Sequence, residues 1–321
     1  MNGSTTERAD ALSSQPVRLT DDLHYLRDRI VNLYLAGLPG AGDQEWVLVD
    51  TGMQGATDRI VEAARSLFGD ARPAAIVLTH GHFDHVGAMS DLARRWNVPV
   101  YAHELELPYI TGRSAYPPAD PTVGGGAMAR LAKLYPRGPF HVEGARSLPA
   151  DGAVPGMSGW RWIHTPGHAP GHVSLFRDSD RSLIAGDAFV TTKQESAISV
   201  LSQRQEIHGP PAYYTPDWER AAESVRRLAA LEPELGATGH GVPMRGEQLR
   251  RDLHRLAERF EHDAVPKHGR YVGRPAVMDE RGVVSVPPPV HDRFPMMAAG
   301  VAAAAVGVVA YAMKRGMERK F

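Results

Sequence analysis

The chain has 321 residues, enough for one large domain with a sizeable core, and contains no cysteine. That excludes disulfides and thiolate metal ligands, and it fits a reducing compartment. Lys plus Arg (36) and Asp plus Glu (37) nearly cancel to a formal charge of −1, which argues against the basic surface that a nucleic-acid substrate calls for.

Residues 1–16 are polar and lack an apolar core, so no signal peptide is expected and the segment is read as disordered. Arg18 to Ala36 and Glu45 to Val49 read as opening strands that lead to Asp50. Asp58 to Phe68 sets Ile60, Val61, Ala64 and Leu67 at helical spacing. Ala74 to Leu78 is a short apolar run, read as a buried strand, and Thr79-His80-Gly81-His82-Phe83-Asp84-His85 follows it at once. Three imidazoles and a carboxylate this close are costly to hold together unless something cationic gathers them. On an extended or tightly turned backbone His80 and His82 project to one side. Asp84 and His85 enter a helix expected over Gly87 to Trp96 and point elsewhere, so the spacing suggests two neighbouring metal sites.

Val98 to Ala102 reads as the next strand, followed by an irregular Pro- and Gly-rich region over 104–148 with a short helix at Ala127 to Tyr135. The strand-like Trp160 to His164 precedes Thr165-Pro166-Gly167-His168-Ala169-Pro170-Gly171-His172, which offers both His168 and His172 as ligands. Leu183-Ile184-Ala185-Gly186-Asp187 is a strand ending in a carboxylate, and Ala237-Thr238-Gly239-His240-Gly241 frames a histidine with glycines. Such loops at sheet ends are where chemistry usually sits. A second irregular region spans 206–217 and carries His208, and helices are expected at Trp218 to Leu231 and Glu247 to His262. Substrate choice is expected in the two irregular regions, with Tyr101, Tyr109, Tyr116, Tyr213 and Tyr214 as pocket candidates. Lys193 is either a contact for a substrate carboxylate or an ordinary solvated lysine.

From Phe294 to Met313 run twenty residues without a charge, before Lys314-Arg315. The length suits a transmembrane helix. Eight alanines and two glycines contribute little, and four valines with Phe294 supply only about −1.5 to −3 kcal/mol. The Pro-rich stretch Val286 to Val290 before it favours a tether, so a cytoplasmic catalytic domain held to a membrane is expected.

Taken in order, His-x-His-x-Asp-His, Thr-Pro-Gly-His, Gly-Asp and Gly-His, together with the earlier Val49-Asp50-Thr51-Gly52, resemble the metallo-β-lactamase superfamily over roughly residues 17–265. The glyoxalase II and lactonase branch is the nearest in ligand pattern, although the basic C-terminal residues that grip glutathione in glyoxalase II are not recognisable. The resemblance implies an α/β (α+β) fold, a four-layer αββα sandwich with metals at one edge. The hydrophobic C-terminal helix is no part of that pattern. The implied organisation is a disordered 1–16, a hydrolase domain over 17–265, an extension and Pro-rich linker over 266–293, the hydrophobic helix over 294–313 and a basic tail over 314–321.

It also implies a ligand set. His80, His82 and His168 would hold one metal, and Asp84, His85 and His240 the second, with Asp187 bridging. Asp50 and His172 would orient ligands rather than bind. Nitrogen and oxygen donors suit two zinc ions, with iron or manganese as alternatives. Such a pair lowers the pKa of a shared water, so that hydroxide attacks the carbonyl of a small ester, lactone or thioester, and Asp84 is the candidate to shuttle the proton. The competing readings are a phosphodiesterase or nuclease of the same fold and an iron-dependent sulfur dioxygenase. The expected partner is a small molecule, with no nucleic acid.

Overall fold

The opening strands show why both faces of the first sheet are apolar. The computed structural model describes residues 13–290. In it β1 (Val17–Arg18), β2 (Leu23–Asp28), β3 (Val31–Ala36), β4 (Val47–Val49), β5 (Ala75–Val77), β6 (Val100–Ala102) and β7 (Arg146–Ser147) form a seven-stranded sheet in chain order. The pairing is antiparallel from β1 to β4 and parallel from β4 to β7. The two-residue side-chain period sends Leu26, Leu33, Leu35, Leu48 and Ile76 to one face. There they meet α1 (Thr57–Phe68) and α2 (Met89–Trp96), whose buried Ile60, Ala63, Ala64 and Phe68, and Met89, Leu92, Ala93 and Trp96, recur at helical spacing. The alternate set, Tyr25, Tyr34, Val47, Val49 and Val77, enters a different cluster with residues of a second sheet.

In the chain, the short helices α3 (Leu107–Ile110) and α4 (Ala127–Leu131) come between β6 and β7. The second sheet has the order β12-β11-β10-β9-β8, built from β8 (Trp160–His164), β9 (Val173–Arg177), β10 (Ser182–Gly186), β11 (Leu235–Thr238) and β12 (Met244–Arg245). Val173, Leu175, Ile184, Leu235 and Ala237 face the first sheet. Phe176, Leu183 and Ala185 face outward onto α6 (Trp218–Ala229) and α7 (Gly246–Glu258). Helix α5 (Ala197–Ser202) precedes α6, whose N-terminus is capped by the Asp217 carboxylate accepting from the Arg220 amide. The chain is thus a mixed α/β fold in which two sheets share one apolar core and helices cover their outer faces.

The packed body runs past residue 265, where the sequence reading ends the hydrolase domain. After the short helix α8 (Phe260–Asp263), Tyr271 and Ala276 are buried in the core under α6 and α7, and β13 (Val277–Asp279) pairs with β14 (Gly282–Ser285). The compact unit extends to Pro288, and residues 266–288 pack as part of it. The reason is burial: Tyr271 and Ala276 are enclosed, and Val272, Met278 and Val286 pack against the same core. Among the described residues no helix is long and apolar enough to cross a membrane. The expected helix over 294–313 and the basic tail lie outside the described residues, as do residues 1–12 of the segment read as disordered.

Candidate metal centre

The parallel pairs β4–β5 and β10–β11 fix where the motifs meet. Asp50 directly follows β4, His80 lies three residues past the end of β5, Asp187 directly follows β10 and His240 lies two residues past the end of β11, all at carboxyl ends of strands. Strand β8 runs alongside β10 in the same direction, two antiparallel steps away, so the His168 loop opens at the same edge. Backbone and side-chain bonds then join the two sheet ends. The Val173 amide donates to the Thr79 carbonyl at 2.9 Å, and the Asn32 side chain donates to the Thr238 and Gly241 carbonyls at 2.9 and 2.6 Å.

Seven side chains converge there, all with 7 % exposure or less: His80, His82, Asp84, His85, His168, Asp187 and His240. Three groups, His80/His82/His168, His80/His85/Asp187 and Asp84/His85/His240, each place one donor atom apiece within 4.8 Å of the others. Asp187 Oδ2 is central, lying 3.1 Å from His240 Nε2, 3.4 Å from His168 Nε2 and 3.7 Å from His85 Nε2. Asp84 Oδ2 lies 3.5 Å from His240 Nε2.

The surroundings dictate the tautomer of four of the five rings. His85 Nδ1 donates to Asp50 Oδ2 (2.8 Å) and His240 Nδ1 to the Ile30 carbonyl (2.7 Å). Thr79 Oγ1 donates to Asp50 and Thr215 Oγ1 to the Pro211 carbonyl, so these hydroxyls accept from His80 Nδ1 and His168 Nδ1 at 3.1 and 3.3 Å. In each ring the Nε2 lone pair is left facing the common centre, the arrangement that orients metal-binding histidines. His172 differs: Nδ1 contacts Thr165 Oγ1 at 2.8 Å and Nε2 accepts the Asp187 amide at 2.9 Å. Both its nitrogens are engaged, so it braces Asp187. Asp50 likewise braces, accepting from the Thr79 amide and hydroxyl and from His85.

These residues fit a bound metal ion. His80 Nε2, His85 Nε2 and Asp187 Oδ1 are buried without a hydrogen-bond partner, which is costly in a folded interior. His82 Nδ1 and His168 Nε2 face one another at 2.9 Å. A Cβ at position 239 would lie 2.0 Å from Asp187 Oδ1 and 2.8 Å from His85 Cε1, so only glycine leaves this cradle open. Burial, with the neighbouring imidazoles, drives His80 and His168 well below the usual histidine range and His82 to about 3. Burial opposes a charge on His85 too, but Asp50 and Asp187 outweigh it and hold the ring well above that range. Asp187 outweighs burial in the same way at His240. The carboxylates therefore make the centre attractive to positive charge. Burial raises Asp84, the most exposed of the seven.

Glu106 is the residue sequence reasoning missed. It is wholly buried, and its Oε1 accepts the Gly171 amide (2.7 Å) while Oε2 accepts the Gly81 amide (2.9 Å) and the Tyr116 hydroxyl. One carboxylate thus clasps the His80–His82 turn to the His168–His172 loop. No local pattern separates it from the exposed Glu104 two residues earlier. Among the tyrosine candidates, Tyr116 and Tyr214 flank the His82 ring at 4.5 and 4.7 Å between centroids, whereas Tyr101 lies in β6 and its hydroxyl accepts from Arg146. Tyr109 stacks behind Tyr116 at 4.0 Å, and Tyr213 is buried beside Tyr214. His208 pairs with Glu206 at 3.2 Å, and Lys193 is half-buried.

The family model described as "Metallo-beta-lactamase superfamily" matches residues 26–240. A probable metallo-hydrolase of Bacillus subtilis (strain 168), YflN, is 50 % identical over 240 residues, covering 74 % of this chain and 90 % of that protein. A second probable metallo-hydrolase of the same organism, YybB, is 30 % identical over 200 residues, covering 62 % and 77 %. A β-lactamase domain protein from Burkholderia ambifaria shares the fold at TM-score 0.55 with 20 % identity, covering 78 % of this chain and 74 % of that one. With its two core-sharing sheets, its clustered histidines and carboxylates and these relatives, the chain belongs to the metallo-β-lactamase superfamily and is a metal-dependent hydrolase.

Proposed function

We propose that the protein hydrolyses a small ester, lactone or thioester at a dinuclear zinc centre. His80, His82 and His168 would hold one ion and Asp84, His85 and His240 the other, with the Asp187 carboxylate between them as a shared ligand. The observation that carries this reading is the set of buried donor atoms left without partners around Asp187. Divalent cations at such a site make water acidic near neutral pH and polarise the oxygen under attack. Asp84, whose carboxylate is the least enclosed of the seven, accepts a hydrogen bond from the attacking water at Oδ2 and takes its proton. Asp50, Thr79, Thr215 and the Ile30 carbonyl keep the imidazoles in register throughout, and His172 does the same for the Asp187 backbone. Tyr116, Tyr214 and His82 present an apolar approach that keeps bulk water from the reacting carbonyl. The near-neutral net charge supports a small substrate over a polyanion.

The test is a panel of p-nitrophenyl esters, lactones, thioesters and bis-p-nitrophenyl phosphate, with elemental analysis of the purified protein. About two zinc per chain and turnover confined to carbonyl substrates are expected. His82→Ala and Asp187→Ala are expected to lose most metal and activity together. Turnover of the phosphodiester alone, or full activity in a metal-depleted Asp187→Ala protein, would overturn the reading.

A further inference from the structure

The first hairpin of the chain is bonded to both loops that carry the nitrogen ligands, His85 and His240, of the second proposed ion. Strands β2 and β3 pair in the register Asp28↔Val31 and Arg27↔Asn32, so Asp28 and Asn32 point to opposite faces of the sheet. Both are buried, at 1 % exposure or less, where a polar group is costly unless it holds a partner. Asn32 faces the second sheet. Its amide donates to the Gly239 carbonyl at 2.7 Å, and its side chain brackets His240 by donating to the Thr238 and Gly241 carbonyls. The Ile30 carbonyl, in the turn of the same hairpin, accepts from His240 Nδ1.

Asp28 turns the other way, toward α1. Its Oδ2 accepts the Met53 amide at 2.6 Å, and its Oδ1 pairs with Arg59 of α1 and with Arg29 at 3.6 Å. A Cβ at position 52 would lie 2.7 Å from Asp28 Oδ2, and the φ of +63° there also favours glycine. From this anchored stretch the Thr51 amide and hydroxyl donate to the His85 carbonyl at 2.7 and 2.8 Å, and the Gly52 carbonyl accepts the Gly87 amide at 2.8 Å. Asp50 is held separately, its amide donating to the Val77 carbonyl at 2.9 Å. Removing Asp28 therefore releases residues 51–53 and the backbone of His85 first. Glu106 bonds elsewhere, to the Gly81 and Gly171 amides beside His80, His82 and His168.

Resting on the dinuclear reading above, we propose that Asp28 and Asn32 are positioning residues for the second ion alone, acting through His85 and His240, and that Glu106 serves the first. The two ions then sit in separate frames and can be lost one at a time. A buried ion pair such as Asp28–Arg59 returns little net stability once its desolvation is counted, and fixing geometry is the work left to it. The hairpin is itself held by its full ladder to β3, so the loops lean on a rigid element.

The experiment withdraws zinc from the loaded full chain with increasing chelator, while NMR of histidine-labelled protein follows each imidazole separately. The natural protein is compared with Asp28→Ala, Asn32→Ala and Glu106→Ala. Asp28→Asn, which keeps an acceptor for the Met53 amide, and Asn32→Ser, which keeps a donor, take the place of an alanine variant that fails to fold. In the hairpin variants His85 and His240 are expected to release zinc at a free concentration about 10–100-fold higher, with His80, His82 and His168 shifted by less than ~3-fold. Glu106→Ala is expected to show the reverse order. A hairpin variant that leaves His85 and His240 unmoved, or that moves both groups of rings alike, refutes the separate frames. If the loaded natural protein holds zinc at one group of rings only, the dinuclear reading fails, and amide exchange read by mass spectrometry still decides the frames. Faster exchange is then expected at 51–54 in Asp28→Ala and at 238–241 in Asn32→Ala, with 165–172 unchanged in both. Any other pattern of exchange refutes them.

Discussion

Replacing Glu106 tests whether one carboxylate holds the two histidine loops together. Glu106→Ala strands three buried donors, the Gly81 and Gly171 amides and the Tyr116 hydroxyl. A buried donor left unmet costs about 1–3 kcal/mol, and water entering the gap recovers part, so a net loss of about 3–5 kcal/mol is expected. In a domain of this size about 1 kcal/mol moves Tm by ~2–4 °C, which gives a fall of roughly 6–20 °C. Outer partners of ligating residues are worth about 10–100-fold in metal affinity, so zinc competition with a chromophoric chelator is expected to show a loss of that order. Glu106→Gln keeps one acceptor oxygen and lets Tyr116 accept from the new amide, and is expected to cost about 1–2 kcal/mol. Burial pushes the Glu106 carboxyl up to about 7 against an ordinary 4.5, despite its three donors. A carboxyl that holds its proton more tightly when folded stabilises fully below pH 4.5 and loses that contribution as pH rises through 7, by about 3 kcal/mol in all. The stability gap between the natural protein and Glu106→Gln, read from urea melts, is therefore expected to narrow from pH 5 to pH 8. A gap that is constant or widens, or a Glu106→Ala protein with unchanged Tm and zinc affinity, refutes the clasp.

Asp50→Ala frees His85 Nδ1 and both Thr79 donors, and is expected to weaken zinc binding about 10–100-fold by chelator competition while the fold persists. Gly87→Ala would set a Cβ 2.1 Å from the Gln54 amide nitrogen and 2.2 Å from the Met53 carbonyl carbon, backbone atoms that cannot swing aside. A cost of about 1–3 kcal/mol in thermal melts is expected, with an unchanged Tm as the contrary result. Arg161→Ala removes an exposed pair with Asp178 and a guanidinium stacked over the Phe176 ring at 5.1 Å, and its effect on stability is expected to stay within about 2 kcal/mol, the ionic part shrinking with added salt.

The chain by itself determined the donor types of the candidate metal centre, because they are written in short runs. Residues 79–85, 165–172, 183–187 and 237–241 each carry their donor type, their turn glycines and the apolar strand that delivers them. The helices over 57–68, 89–96 and 218–229 were equally legible, since an amphipathic period is a local property. What tertiary structure alone decided is long-range. Glu106 becomes a clasp only because the turn after β5 and the loop after β8 come within reach of one carboxylate, 25 and 65 residues away in sequence. His172 is separated from His168 as a brace by the Asp187 amide that reaches its Nε2 from the next hairpin strand. Tyr271 lies in a polar stretch with no periodic signal, and its place beside His82 rests on bonds to residues about 150 positions earlier. Donor identity and local period are properties of neighbours along the chain, whereas partnership across a buried edge depends on how two sheets pack, and no short window encodes that.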